Sequence, residues 1–127
     1  MDFINPSDIV APASRYSQGI VVPAHARRLI VSGQIGMTKD GKVVEGLEAQ
    51  LRLSWQNLFG VLRAAGMEIT DLVKTTGFVT DPNCIGVFRK VREEVLQGHP
   101  AGSTFLVVAG LAVPALLCEI EAEAART

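Results

Sequence analysis

Ser103-Thr104-Phe105-Leu106-Val107-Val108-Ala109 is the stretch that decides how this chain is built. Residues 105 to 109 are apolar at every position, so both alternating faces of a strand there are apolar, as in strands buried on two sides. After the breakers Gly110 and Pro114, residues 116 to 124 alternate instead. Ile120, Ala122 and Ala124 share one face, and Glu119, Glu121 and Glu123 share the other. Two helices can cover one face of such a sheet. The chain has no further element for the second face, so the pattern predicts a homo-oligomer in which sheets of neighbouring copies pack together.

Upstream, the hydrophobic period switches twice. Leu47, Leu51, Trp55, Leu58, Leu62 and Ala65 step by three or four, one apolar helical stripe, and Gly66 sits where a glycine ends a helix. Residues 72 to 80, rich in Val and Thr, read as a strand. Asp81-Pro82 opens a second helix, with Asp81 as its cap, and Ile85, Phe88, Val91 and Val95 form its buried face until Gly98 and Pro100 close it. Nearer the start, an irregular lead containing Pro6 and Pro12 precedes two β-rich runs, 17 to 22 and 28 to 35. Pro23 and Ala24 lie between them, and they read as a first hairpin. Lys39-Asp40-Gly41-Lys42 supplies a tight turn. The order is β-β-α-β-α-β-β, one α+β domain over residues 1 to 127 with a mixed sheet and two helices on one face.

Composition narrows the function. With 12 Lys and Arg against 13 Asp and Glu, the formal charge is −1, and one Trp, one Tyr and five Phe provide few stacking platforms. Neither a basic track nor an aromatic one favours nucleic acid. The longest nearly apolar run, 105 to 118, is broken by Gly110 and Pro114 and falls short of the roughly 20 residues of a membrane span. The N-terminus shows no basic region followed by an apolar one, so the expected location is the cytoplasm. Cys84 and Cys118 lie far apart without metal-ligand spacing and read as free thiols, Cys118 buried.

Few residues announce chemistry by pattern alone. Gly36 to Lys42 matches part of a phosphate loop, but Val43 stands in the Ser/Thr place. His25 and His99 read as exposed loop residues. Ser17, Ser32 and Ser103 lack a nucleophile elbow but suit hydrogen bonding to a ligand. Glu119, after Leu116-Leu117-Cys118, has the most apolar flank of the three acids, where burial disfavours the charged form of a carboxyl and favours acid/base work. The competing reading of each glutamate is an acid that keeps a sheet soluble.

Taken in order, Tyr16-Ser17-Gln18-Gly19, Ser32-Gly33-Gln34-Ile35-Gly36, Gln50 with Asn57, Ala65-Gly66, Asp71 to Thr76, Pro100-Ala101 and Glu119-Ile120-Glu121-Ala122 form a set that resembles the Rid (RidA/YjgF) family along almost the whole chain. The resemblance implies a chorismate-mutase-like α+β fold and a homotrimer, its sheets forming a central barrel with small-molecule clefts between subunits. It also implies hydrolysis of reactive enamines or imines without a metal or cofactor. By the same resemblance, Glu119 matches the glutamate that activates water or moves the proton. Tyr16 lines the cleft, Ser32 and Gly33 match the strand edge against the ligand, and Ser103 and Thr104 follow the Pro-Ala motif, Thr104 where a cysteine is usual.

One departure bears on the substrate. The deaminating branch reads Pro-Ala-Arg-Ser, its arginine gripping the substrate carboxylate, and here the motif is Pro100-Ala101-Gly102-Ser103. Glycine cannot form that two-pronged pair. Arg89 stands near a position where that branch commonly has asparagine facing the cleft, and Arg15 replaces a proline, so each is a candidate to reach an anion, against the commoner case of an exposed helix or loop arginine. The resulting order of readings is a Rid-type hydrolase with a non-standard substrate anchor, then a non-catalytic trimer binding a metabolite in the same cleft, then a nucleic-acid role.

Overall fold

The leucine and tryptophan stripe forms helix α1 (Leu47–Ala64), and Leu51, Trp55, Leu58 and Leu62 are buried along it. Burial of side chains this size contributes about 1.5–3 kcal/mol each. Gly66 follows the helix at φ +71°, where a side chain would be strained. The computed structural model describes all 127 residues. Around α1 lie β1 (Asp2–Ile4), β2 (Gly19–Val21), β3 (Arg27–Gln34), β4 (Leu72–Val79), helix α2 (Ile85–Leu96), β5 (Gly102–Val107) and β6 (Cys118–Arg126).

The main sheet runs β3-β6-β4-β5. Its β3/β6 and β4/β6 pairs are antiparallel and β4/β5 is parallel, so the sheet is mixed. Both helices pack on one face. Cys118, Ile120, Ala122 and Ala124 of β6 are buried there, and Phe88 of α2 packs against Phe105 with ring centroids 4.7 Å apart. A Cβ at Gly77 on β4 would overlap the Phe88 ring, so a side chain there displaces it. The opposite face carries Glu119, Glu121 and Glu123, with Ile30 65% and Leu106 45% exposed. Nothing in the chain covers this second face.

Four expectations need correction. The lead is not wholly irregular, since Asp2–Ile4 pairs antiparallel with β2, Phe3 opposite Ile20. The first hairpin does not form, and β3 pairs with β6. Pro23 has no N–H to donate to a ladder, and its carbonyl accepts from Ala26 N in a turn that separates the two runs. Asp81 does not cap α2. Its carboxylate accepts from Asn83 N at 2.8 Å, so 81 to 83 form a turn and the helix starts four residues after Asp81. His99 is half-buried rather than exposed, its ring nitrogen 2.7 Å from the Leu72 carbonyl and its ring edge-on to Phe3.

Candidate functional site

Loop and strand chemistry places Tyr16 first. Ser17 is buried, its hydroxyl donates to the Pro100 carbonyl at 2.6 Å, and its N–H donates to the Ala101 carbonyl. The Tyr16 segment is thereby held against the start of β5, where Ser17 bridges Gly102 in parallel. Between them opens a cleft of about 540 Å³ whose walls include Tyr16, Gly102, Ser103, Thr104, Lys74 and Glu123. Lys74 lies opposite Gly102 in the β4/β5 register, and its ammonium donates to the Thr104 hydroxyl. Arg28, also on the cleft wall, pairs with Glu123 at 3.0 Å.

The acid lies elsewhere. Between Val31 and Gln34 the β3/β6 register shifts, so Ser32 and Gly33 together face the single Glu121 in a bulge. The Glu119 side chain lies over this bulge, and a Cβ at Gly33 would come within 2.6 Å of its carboxyl carbon. Glycine at 33 leaves room for that carboxyl. Unlike Glu123, Glu119 has no ionic partner in the chain. Ser32, Gly33 and Glu119 therefore form one group, and Tyr16, Gly102, Ser103 and Thr104 form another. Glu119 pairs with Phe78 while Gly102 pairs with Lys74, four residues further down β4. At a rise of about 3.3 Å per residue, Glu119 is roughly 13 Å from Gly102 along the strands with β4 between them, whereas Ser32-Gly33 and Thr104 lie level and are separated by the width of β6 and β4.

Arg89 is half-buried and lines a smaller cavity of about 110 Å³ with Ser14, Tyr16, Ile85, Arg92, Ser103 and Phe105. Arg15 is exposed. The sequence reading missed Lys74, Arg28 and Arg92. The Val/Thr alternation of β4 and its pairing with β5 could have flagged Lys74, but only the tertiary fold reveals that Arg92 is buried. Its nitrogens donate to Ser103 Oγ at 3.0 Å and Ser14 Oγ at 2.7 Å, and burial pulls its guanidinium below the ordinary arginine range. Neither cysteine reaches the cleft. Both are buried and free, and burial pushes the Cys118 thiol up to about 11. No group of three or more His, Cys, Asp or Glu is arranged to hold a metal ion.

The Endoribonuclease L-PSP family model matches residues 7–126, nearly the whole chain. The chain belongs to the RidA/YjgF family. Among relatives of this Rid protein, the rat 2-iminobutanoate/2-iminopropanoate deaminase is 35% identical over 84% of this chain and 77% of its own length. The Salmonella typhimurium protein of the same name is 37% identical over 72% of this chain and 71% of its own. The Rid-family protein YyfB of Yersinia pestis superposes with a TM-score of 0.85 at 32% identity, covering 97% of this chain and 96% of that one. The Escherichia coli protein TdcF, solved with bound serine, superposes at 0.75 with 29% identity over 94% and 91%. The Rid fold here is thus the chorismate-mutase-like α+β arrangement, two helices on one face of a mixed sheet. No helix of the Rid chain is long and apolar enough to cross a membrane.

Proposed function

We propose that this chain, as one domain over residues 1 to 127, is a cofactor-free small-molecule hydrolase acting on imines or enamines in clefts between the subunits of a cytoplasmic homotrimer. The observation that carries this reading is the division of the site. The acid with its Ser32-Gly33 bulge, and the wall of Tyr16, Gly102, Ser103 and Thr104, lie apart within one chain and on surfaces that a neighbouring copy can reach. Packing the exposed sheet faces into a central barrel brings one protomer's acid to another's wall and covers Ile30 and Leu106. The names of the relatives supply the reaction class, and two free thiols suit a reducing compartment.

In this mechanism the Glu119 carboxylate takes a proton from water as the water oxygen adds to the C=N carbon. The carbinolamine that results from the protonated imine receives that proton on nitrogen. As the C–N bond breaks and ammonia leaves, the Glu119 carboxylate takes the hydroxyl proton, leaving a ketone or keto acid. Such acid/base work contributes about 10²–10⁴-fold in rate. Thr104, held by Lys74, and Ser103 orient the ligand, and Arg89 faces it from α2. Gly102 offers no side chain to grip a substrate carboxylate, and a Cβ there would come within 3.1 Å of the Val73 carbonyl, so the anchor has to come from elsewhere on the cleft. A second reading, a trimer that binds a metabolite without turning it over, is favoured by the same lack of a side chain at Gly102. RNA fits less well, because the cleft's Arg28 is already neutralised by Glu123.

The test is keto-acid and ammonia release from imines generated in situ by an amino-acid oxidase under semicarbazide competition, with small and large side chains. Acceleration by the wild type that disappears in Glu119→Gln supports hydrolysis. Acceleration by neither protein, together with saturable binding of the keto acids, establishes the second reading instead.

A further inference from the structure

Arg92 is 3% exposed, yet both of its hydrogen bonds end on neutral serine hydroxyls and its Nε–H has no partner. No carboxylate forms an ion pair with it. The adjacent Glu93 is exposed and is approached instead by the backbone N–H of Arg15. The remaining compensation is the faces of Tyr16 and Phe88, whose centroids lie 6.0 and 5.9 Å from the guanidinium carbon, at the outer reach of a cation–π contact. A buried cation without a counter-ion is costly, and proteins keep few of them without a use. Arg92 nevertheless lines a cavity of about 110 Å³, several times the ~30 Å³ share of a water molecule, with half-buried Arg89 on the same wall. That cavity shares Tyr16 and Ser103 with the large cleft, so the two adjoin at the Tyr16 segment and the start of β5.

We propose that Arg92, assisted by Arg89, is the anion anchor of this protein. In this arrangement a carboxylate of the ligand enters the small cavity behind Tyr16 and replaces the Ser14 hydroxyl on the guanidinium, while the rest of the ligand lies in the cleft over Gly102. The carboxylate is thereby gripped from α2 rather than from β5. This selects carboxylate-bearing ligands over their uncharged analogues. The inference rests on the reading that the cleft binds a small molecule, and its test separates the two.

The full-length protein is titrated with 2-oxobutanoate and, in parallel, with the uncharged 2-oxobutanamide. Binding is followed by calorimetry and by the arginine Nε–H resonances, that of Arg92 assigned by its loss in Arg92→Lys. The expected result is a saturable shift of the Arg92 signal with the acid and none with the amide. Affinity for the acid should fall about ten- to hundredfold in Arg92→Gln, the range for a lost charge-assisted hydrogen bond, with a smaller loss in Arg92→Lys. A purely structural arginine would leave the acid-to-amide ratio unchanged, which overturns the anchor. If Arg92→Gln does not fold, the wild-type signal decides, since no shift at saturating acid overturns the proposal. Imine hydrolysis with the same KM in wild type and Arg92→Gln overturns the anchor and keeps the hydrolase. Acid binding that depends on Arg92 without any hydrolysis does the reverse.

Discussion

Replacing Gln50 by leucine tests how the helix positions the strand that carries Glu119. Gln50 is 1% exposed, and its side chain makes three hydrogen bonds that no other residue duplicates. Nε2 donates to the carbonyls of Val44 and Ala115 at 3.0 Å each, and Oε1 accepts from Leu117 N at 2.8 Å. It thus ties α1 to the loop that enters it and to the segment two residues ahead of Glu119. Leucine fills a similar volume but leaves the Leu117 N–H and two carbonyls without partners. At about 1 kcal/mol net per bond, less the part that solvent restores at the exposed Ala115, the loss is roughly 2–3 kcal/mol. For a chain of this length that is a fall in Tm of roughly 8–12 °C. The assay is urea and thermal unfolding at matched protomer concentration, since assembly contributes to apparent stability. Gln56→Leu on the exposed side of the same helix is the control. Activity should fall beyond the stability loss, because Glu119 loses its fixed approach. A Gln50→Leu protein within ~0.5 kcal/mol of wild type, the range of ordinary surface substitutions, would refute the reasoning.

Gly77→Ala should destabilise by about 1–3 kcal/mol through overlap with the Phe88 ring, and Phe88→Leu should recover part of that loss in a double-mutant cycle of unfolding free energies. Leu106→Glu, on the uncovered sheet face, should shift sedimentation from the proposed trimer toward the 13.6 kDa monomer and abolish the proposed turnover while leaving the far-ultraviolet spectrum intact. Native protein at pH 8 should react slowly with a thiol reagent at both cysteines and rapidly at both once unfolded, because burial keeps them protonated. The same burial has a linked stability effect. The folded Cys118 thiol titrates higher than an unfolded one, so its contribution is complete below about 9 and is lost as pH rises toward about 11. The wild type should therefore lose more stability than Cys118→Ala over that interval.

The elements with a strong period are legible in the residues alone. The α1 stripe, the Gly66 stop and the Glu119-Glu121-Glu123 face all stand where the residues put them, because burial of one face admits only one phase of a helix or strand. The misreadings share a different cause. Asp2–Ile4 carries no alternation long enough to read, and it becomes a strand only because β2 offers it an edge. The Pro23 connection looks like a hairpin turn until its missing N–H is weighed against a better partner for β3 in β6. On the site, Tyr16, Gly102, Ser103 and Thr104 gather in one cleft, whereas Ser32, Gly33 and Glu119 gather at the bulge. A resemblance names such residues but does not say that they lie on opposite sides of β4 in one chain. Arg92 was hidden for a simpler reason. At helical spacing it lies next to Val91 on the buried side, and its charge argues for the surface until Ser14 and Ser103 are seen around it.

The separation of acid from wall also has an evolutionary side. In the proposed trimer, a subunit with a damaged acid still offers a sound wall to its neighbour, and a subunit with a damaged wall still offers its acid. Two diverged copies of such a gene, each defective alone, restore one complete cleft in a mixed ring of three. Selection on this architecture therefore acts on the pairing of surfaces before it acts on any single chain, and a change of substrate can begin in one copy while the other preserves the chemistry.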